Sequence, residues 1–144
     1  MVGGKVQYCC TGAAPIDAGV LDYLKVAFNC KFIEAYGLTE VAGGVSFQKR
    51  DDNTTGNIGG PTKSQKFRLA SVPEMNYLTT DQPYPRGELQ IKGQTVFEGY
   101  FKKQEKTSEA FDDEGWFKTG DVAAMLPNGA FKIIDRVKNI FKLS

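Results

Sequence analysis

An α/β unit followed by a β unit is the fold that this sequence predicts, and three observations point to it. Apolar runs at Lys5–Cys10 and Lys31–Ala35 read as short strands on either side of a helical pattern, Ile16, Val20, Leu24, Ala27 and Phe28. From Lys66 onward the period changes to alternation, with Phe67, Leu69 and Ser71 set against Lys66, Arg68 and Ala70. Between the two, Gly43 to Thr62 is rich in Gly, Asn, Asp and Thr, a loop composition. Residues 1–62 are therefore expected to form part of a parallel α/β subdomain, and residues 63–135 a small β-barrel subdomain.

In the first strand Val6, Tyr8 and Cys10 share one face. Thr11-Gly12-Ala13-Ala14 follows as a tight loop of small residues, with Pro15 expected at the first helical position and Asp17 in the first turn. Asn29 ends the helix. A strand–helix–strand order implies a right-handed parallel crossover, which brings Gly12–Ala14 and Tyr36-Gly37 to the same sheet edge. Small residues there leave room for a flat group such as a purine against Tyr36, or simply let the helix pack closely.

The stretch Glu34-Ala35-Tyr36-Gly37-Leu38-Thr39-Glu40 follows the second strand. It offers a ring to stack on a base (Tyr36), a hydroxyl for a phosphate oxygen (Thr39) and a carboxylate for a divalent cation (Glu40). The same letters also spell a strand, a glycine turn and an ordinary N-cap at Thr39. Gly56 to Ser64 fails as a phosphate-cradling loop, because Lys63 does not follow a glycine and no helical pattern succeeds it.

In the second half, Lys66–Val72 and Gly87–Ile91 alternate, with Pro83-Tyr84-Pro85-Arg86-Gly87 as a rigid turn. Lys102–Phe111 suggests a short charged helix, and Pro127-Asn128-Gly129 a hairpin between Val122–Leu126 and Ala130–Ile134. Thr119-Gly120-Asp121 is expected in a connection between apolar strands. One carboxylate can accept from both hydroxyls of a ribose, although a turn aspartate bonding its own backbone is the commoner role. Arg136 can reach a ribose or phosphate oxygen, or pair with Asp135 at the surface.

The counts exclude several chemistries. With no histidine, Ser-His-Asp and Cys-His systems and mixed Cys/His zinc sites are out. A net charge of +1, from 18 basic and 17 acidic residues, argues for neither nucleic acid nor an anionic membrane surface. Cys9, Cys10 and Cys30 are odd in number and suit thiols in a reducing compartment. No apolar run approaches the roughly 20 residues of a membrane span, and the N-terminus does not read as a signal peptide. Asn53-Thr54-Thr55 is a lone match to a glycosylation pattern.

Taken together, Gly12-Ala13-Ala14-Pro15, Tyr36-Gly37-Leu38-Thr39-Glu40, Gly87-Glu88-Leu89 with Gly93 and Gly99-Tyr100, Trp116 to Asp121, and Asp135 to Lys142 form an ordered set. The set resembles the successive motifs of the adenylate-forming acyl-CoA synthetases, with similar gaps, across nearly the whole chain. Ile140-Phe141-Lys142-Leu143-Ser144 is similar to the long-chain fatty acyl-CoA synthetase branch. The resemblance implies activation of a fatty acid with ATP and Mg²⁺ to an acyl-adenylate, then transfer of the acyl group to coenzyme A. It implies that Tyr36 stacks on adenine, that Gly12, Ala13 and Ala14 line the other side, and that Glu34, Ala35 and Gly37 complete the base site. Thr39 would bind the α-phosphate and Glu40 the Mg²⁺, the two catalytic positions. Asp121 would grip the ribose with Arg136 and Lys138 beside it, and Asp135 would be the hinge at the start of a segment, 136–144, that opens a further domain.

The departures matter too. The family's Ser/Thr/Gly-rich phosphate loop is unmatched here, the catalytic lysine would lie beyond Ser144, and Ala13 stands where many relatives have glycine. An internal fragment, inactive by itself, is the expectation. Its partners would be fatty acid, ATP and CoA within the full enzyme, without nucleic acid. The fragment would self-associate through exposed sheet edges. A cytoplasmic place is expected, or the cytosolic face of membranes for the full-length protein. An aryl- or medium-chain acyl-CoA ligase, or a non-catalytic AMP-binding module, are the alternatives.

Overall fold

The computed structural model describes residues 3–137. The chain enters β1 (Tyr8–Thr11), crosses over through α1 (Ala18–Phe28) and returns in β2 (Lys31–Leu38), which pairs with β1 in parallel from Tyr8↔Lys31 to Thr11↔Glu34. The crossover expected from the sequence is therefore present. Its helix starts later than Pro15 suggests. Asp17 lies outside the first turn as the N-cap, its carboxylate accepting the Val20 N–H at 3.0 Å. Asn29 ends the helix in the left-handed conformation at φ 47°.

β2 does not stop at Ala35. Its second edge pairs antiparallel with β3 (Gly43–Phe47), and β3 in turn with β4 (Gly60–Pro61), completing a four-stranded sheet in the order β1-β2-β3-β4. Tyr36 and Gly37 consequently lie inside a strand, where the sequence suggested a glycine turn. Gly37 is needed for a different reason: a Cβ there would sit 1.9 Å from the Gly43 carbonyl oxygen, where the ladder is irregular between Tyr36 and Gly37. Thr39–Val41 is one turn of 3-10 helix, capped by Leu38 and not by Thr39.

The second sheet is an antiparallel meander of β5 (Gln65–Ala70), β6 (Arg86–Gly93), β7 (Phe117–Met125) and β8 (Phe131–Arg136) in that order, with α2 (Gln104–Ala110) between β6 and β7. Where a small barrel was expected, the sheet stays open: among the described residues no pairing joins β8 to β5. Four strands are too few to curl a sheet onto itself around packed side chains. The hairpin at Pro127-Asn128-Gly129 joins β7 to β8 as expected, with the Gly129 N–H donating to Leu126 O at 2.9 Å.

Two clusters of buried residues lie between the sheets. Val41 from the 3-10 turn and Val45 from β3 pack with Ile91 and Phe117 from the second sheet, and Leu89, Ala123 and Phe131 form the other. Tyr36 packs against both clusters. Gly37→Ala is expected to destabilise the chain by at least about 2 kcal/mol in urea denaturation, because the new methyl group meets backbone and not a movable side chain. A parent-like midpoint would show that β2 and β3 do not approach this closely.

Candidate functional site

The site is built where β2 faces β7. In β7 the register against β6 slips, Gln90 pairing with Lys118 but Glu88 with Val122, so Thr119, Gly120 and Asp121 bulge opposite Leu89. The stretch is thus part of a strand and not the expected connection. Gly120 takes φ 72°, a conformation glycine adopts without strain, and its N–H donates to Glu88 Oε1 at 3.0 Å. Thr119 Oγ1 donates to Leu89 O at 2.6 Å and accepts the Asp121 N–H at 3.1 Å. The bulge so held turns the Asp121 carboxylate inward, where the residue is 3% exposed.

Both oxygens of that carboxylate are engaged. The Tyr36 hydroxyl donates to Oδ2 at 2.7 Å, across 85 residues of sequence, and Arg136 Nε donates to Oδ1 at 2.7 Å from the neighbouring strand, where Asp121 and Arg136 are register partners. The Arg136 side chain itself is two-thirds exposed, so its charge meets Asp121 from the solvent side. Burial, and after it the charge of Asp121, pushes the Tyr36 hydroxyl far above its ordinary value of 10.0. Tyr36 is a neutral donor at any physiological pH.

Thr11, the last residue of β1, is the register partner of Glu34 in the middle of β2, and Gly12 stands against Ala35: a Cβ at Gly12 would lie 2.9 Å from the Ala35 carbonyl oxygen. Ala13 adopts φ 66° and Ala14 is exposed. The loop after β1 thus reaches Ala35, but Tyr36 and Gly37, expected in a second loop, belong to β2. Glu34, expected to help hold a base, also bonds the loop that follows β3. Its carboxylate accepts the Gly56 N–H at 2.6 Å and a weaker bond from Gln48, and its N–H donates to Gln48 Oε1 at 2.9 Å. It anchors the 52–57 loop.

Thr39 is exposed at the start of the 3-10 turn, and Glu40 follows it half-buried. Glu40 Oε1 accepts the Tyr100 hydroxyl at 2.8 Å, and its carbonyl accepts the Phe97 N–H at 2.8 Å. Among the described residues no three carboxylates or thiols converge into a metal cluster. One carboxylate beside a hydroxyl suits Mg²⁺ held chiefly by phosphate oxygens and water. Asp135 sits within β8 and accepts the Tyr77 hydroxyl at 3.1 Å and the Arg136 N–H at 2.7 Å. Lys138 lies outside the described residues.

The structure thus brings together Gly12 with Ala35, and Tyr36 with Asp121 and Arg136. Tyr100, Tyr77, Thr119 and Gln48 are the supporting residues that sequence reasoning missed. The pairing of Tyr100 with Glu40 joins residues 60 apart, and no periodicity or spacing announces such a bond.

The model of the family described as AMP-binding enzyme matches residues 1–101. The chain belongs to this family. Among AMP-binding enzymes it is 46% identical over 143 residues to the peroxisomal long chain acyl-CoA synthetase 7 of Arabidopsis thaliana, covering 99% of this chain and 20% of the relative. It is 47% identical over the same length to fatty acyl-CoA synthetase A of Dictyostelium discoideum, covering 21% of that relative. The chain therefore spans about a fifth of the length of the curated relatives it matches. In structure it is similar to the A domain of carboxylic acid reductase from Segniliparus rugosus, solved with AMP and a co-purified carboxylic acid. The TM-score is 0.83 at 36% identity, over 96% of this chain and 20% of that one. No helix among the described residues is long and apolar enough to cross a membrane.

Tyr36→Phe should cost about 1–3 kcal/mol, since it leaves a buried carboxylate short of a donor. It should also soften the alkaline limb of stability. A hydroxyl held above its ordinary value keeps its proton when folded. Stability is therefore whole below about pH 10 and drains as the unfolded chain ionises above it. Tyr77 and Tyr100, both raised by burial and then by their carboxylate partners, leave a residual slope. Denaturation midpoints of parent and variant from pH 7 to 11 check both effects.

Proposed function

We propose that this chain is the part of an ATP-dependent long-chain fatty acid–CoA ligase that holds the adenosine and phosphate of an acyl-adenylate, and that by itself it does not turn over. The observation that carries the reading is the convergence of Tyr36 from one sheet on Asp121 and Arg136 from the other. In this reading the Tyr36 ring stacks on adenine beside Gly12, Ala13, Ala14 and Ala35, while Asp121 and Arg136 take the ribose hydroxyls. Thr39 binds the α-phosphate, and Glu40, steadied by the Tyr100 hydroxyl, presents its second oxygen to Mg²⁺. The ion, when bound, would neutralise charge developing at phosphorus. Coenzyme A would then receive the acyl group in the whole enzyme.

The finer architecture belongs to the same proposal. The division near residue 62 falls between β4 and β5, and strands outside this chain would close the second sheet into a barrel. Asp135 would be the hinge, with Lys138 beyond it near the ribose. The edge of β1, which has no strand beside it among the described residues, would draw copies of the fragment together. The whole enzyme would work in the cytoplasm or at the cytosolic face of a membrane.

Calorimetric titration of the chain with a non-hydrolysable acyl-AMP analogue tests the reading. Asp121→Ala should weaken binding by about 1.5–3 kcal/mol, as for a lost charge-assisted hydrogen bond. Circular dichroism would verify that the variant is folded. Coincident titration curves would remove Asp121 from the site, and thioester formation from fatty acid, ATP and CoA by this chain alone would overturn its incompetence.

A further inference from the structure

We propose that Cys9 and Cys30 form an oxidisable dithiol that hydrogen peroxide closes to a disulfide and a small thiol reopens. Their Sγ atoms lie 3.6 Å apart and both residues are half-buried. Cys9 belongs to β1, and Cys30 stands in the turn that returns α1 to β2. There the Lys31 N–H donates to Gln7 O at 3.2 Å, continuing the parallel ladder past its first paired residues. The backbone therefore holds the two sulfurs face to face. A sulfur–sulfur bond is about 2.05 Å long, so closure asks for an approach of roughly 1.5 Å.

Cys10 is excluded from the pair by the pleat. Successive side chains of a strand point to opposite faces, and the exposed Cys10 sulfur lies 3.9 Å from its neighbour's carbonyl, Thr11 O. Cys30 also lines an open surface cavity of about 450 Å³ with Tyr8, Lys25, Asn29 and Lys31, a path for a small polar oxidant.

The chemistry balances with peroxide as oxidant. One of the two thiolates attacks a peroxide oxygen, the O–O bond breaks, and the departing hydroxide takes up a proton as water, leaving a sulfenic acid. The other sulfur then attacks the oxidised one, the S–O bond breaks, and the hydroxyl departs with that thiol's proton as a second water. Two thiols and one peroxide become one disulfide and two waters. The bridge would close the β1–α1–β2 crossover into a ring, at the opposite end of these strands from Gly12 and Tyr36.

Native chain treated with hydrogen peroxide, alkylated and mapped by non-reducing mass spectrometry provides the test. Two of the three alkylatable thiols should be lost, Cys10 should remain labelled, and the linked peptide should join Cys9 to Cys30 and disappear with dithiothreitol. Cys10→Ser should behave as the parent does. Cys30→Ser should leave a sulfenic acid on Cys9 that dimedone traps. The proposal is overturned by a linkage through Cys10, or by three alkylatable thiols surviving a peroxide dose that oxidises Cys9 in Cys30→Ser.

Discussion

One buried carboxylate ties the two sheets of this chain together. Asp121 is nearly sealed from solvent, and a charge in that position is tolerable only while its oxygens are paired. Its partners come from separate sheets, Tyr36 from β2 and Arg136 from β8. The bond to Tyr36 fixes how far the first sheet slides over the second, since the same ring also packs against both core clusters. Apolar packing would accept a range of offsets; a 2.7 Å hydrogen bond to a desolvated oxygen accepts few.

The rest of the site follows from keeping Asp121 aimed. A regular β7 would alternate its side chains, and the extra residues between Lys118 and Val122 break that alternation locally. Gly120 makes the break cheap, and Thr119 and Glu88 collect the backbone groups that the bulge would otherwise leave without partners. Glu34 and Gln48 perform the equivalent service for the loop beside β3. Of the buried polar residues, Ser46, Gln48 and Asn57 hold backbone groups in irregular places, whereas Gln65, Gln90 and Asp121 bond other side chains.

Legibility in the sequence followed the range of the forces involved. The parallel crossover, the change to antiparallel strands in the second half and the Pro127 hairpin were readable because periodicity and turn chemistry act over a few residues. Gly37 was misread as a turn, because the carbonyl that demands a glycine there belongs to Gly43, on another strand. Asp121 was placed in a connection for the same reason: a bulge looks like a break in pattern, and only the partner strand reveals that pairing resumes beyond it. The convergence on Asp121 was inferable through family resemblance and not from spacing, as 85 residues separate it from Tyr36. The commitment of Glu34 to the 52–57 loop had no signal at all.

The asymmetry between the two partners of Asp121 indicates from which side a ligand could enter. Tyr36 is half-buried and packs against both core clusters, so its hydroxyl meets Asp121 from the side of the cores. Arg136 reaches the carboxylate from a side chain that is 66% exposed, and it uses Nε for the contact. A guanidinium carries four further N–H donors on its terminal nitrogens, arranged in a planar fork. A ribose arriving from solvent would therefore meet Oδ1 and those donors together, and displacing Arg136 Nε would return a well-hydrated group to water at small cost. The buried half of the constellation would keep its geometry, while the exposed half exchanges one partner for another.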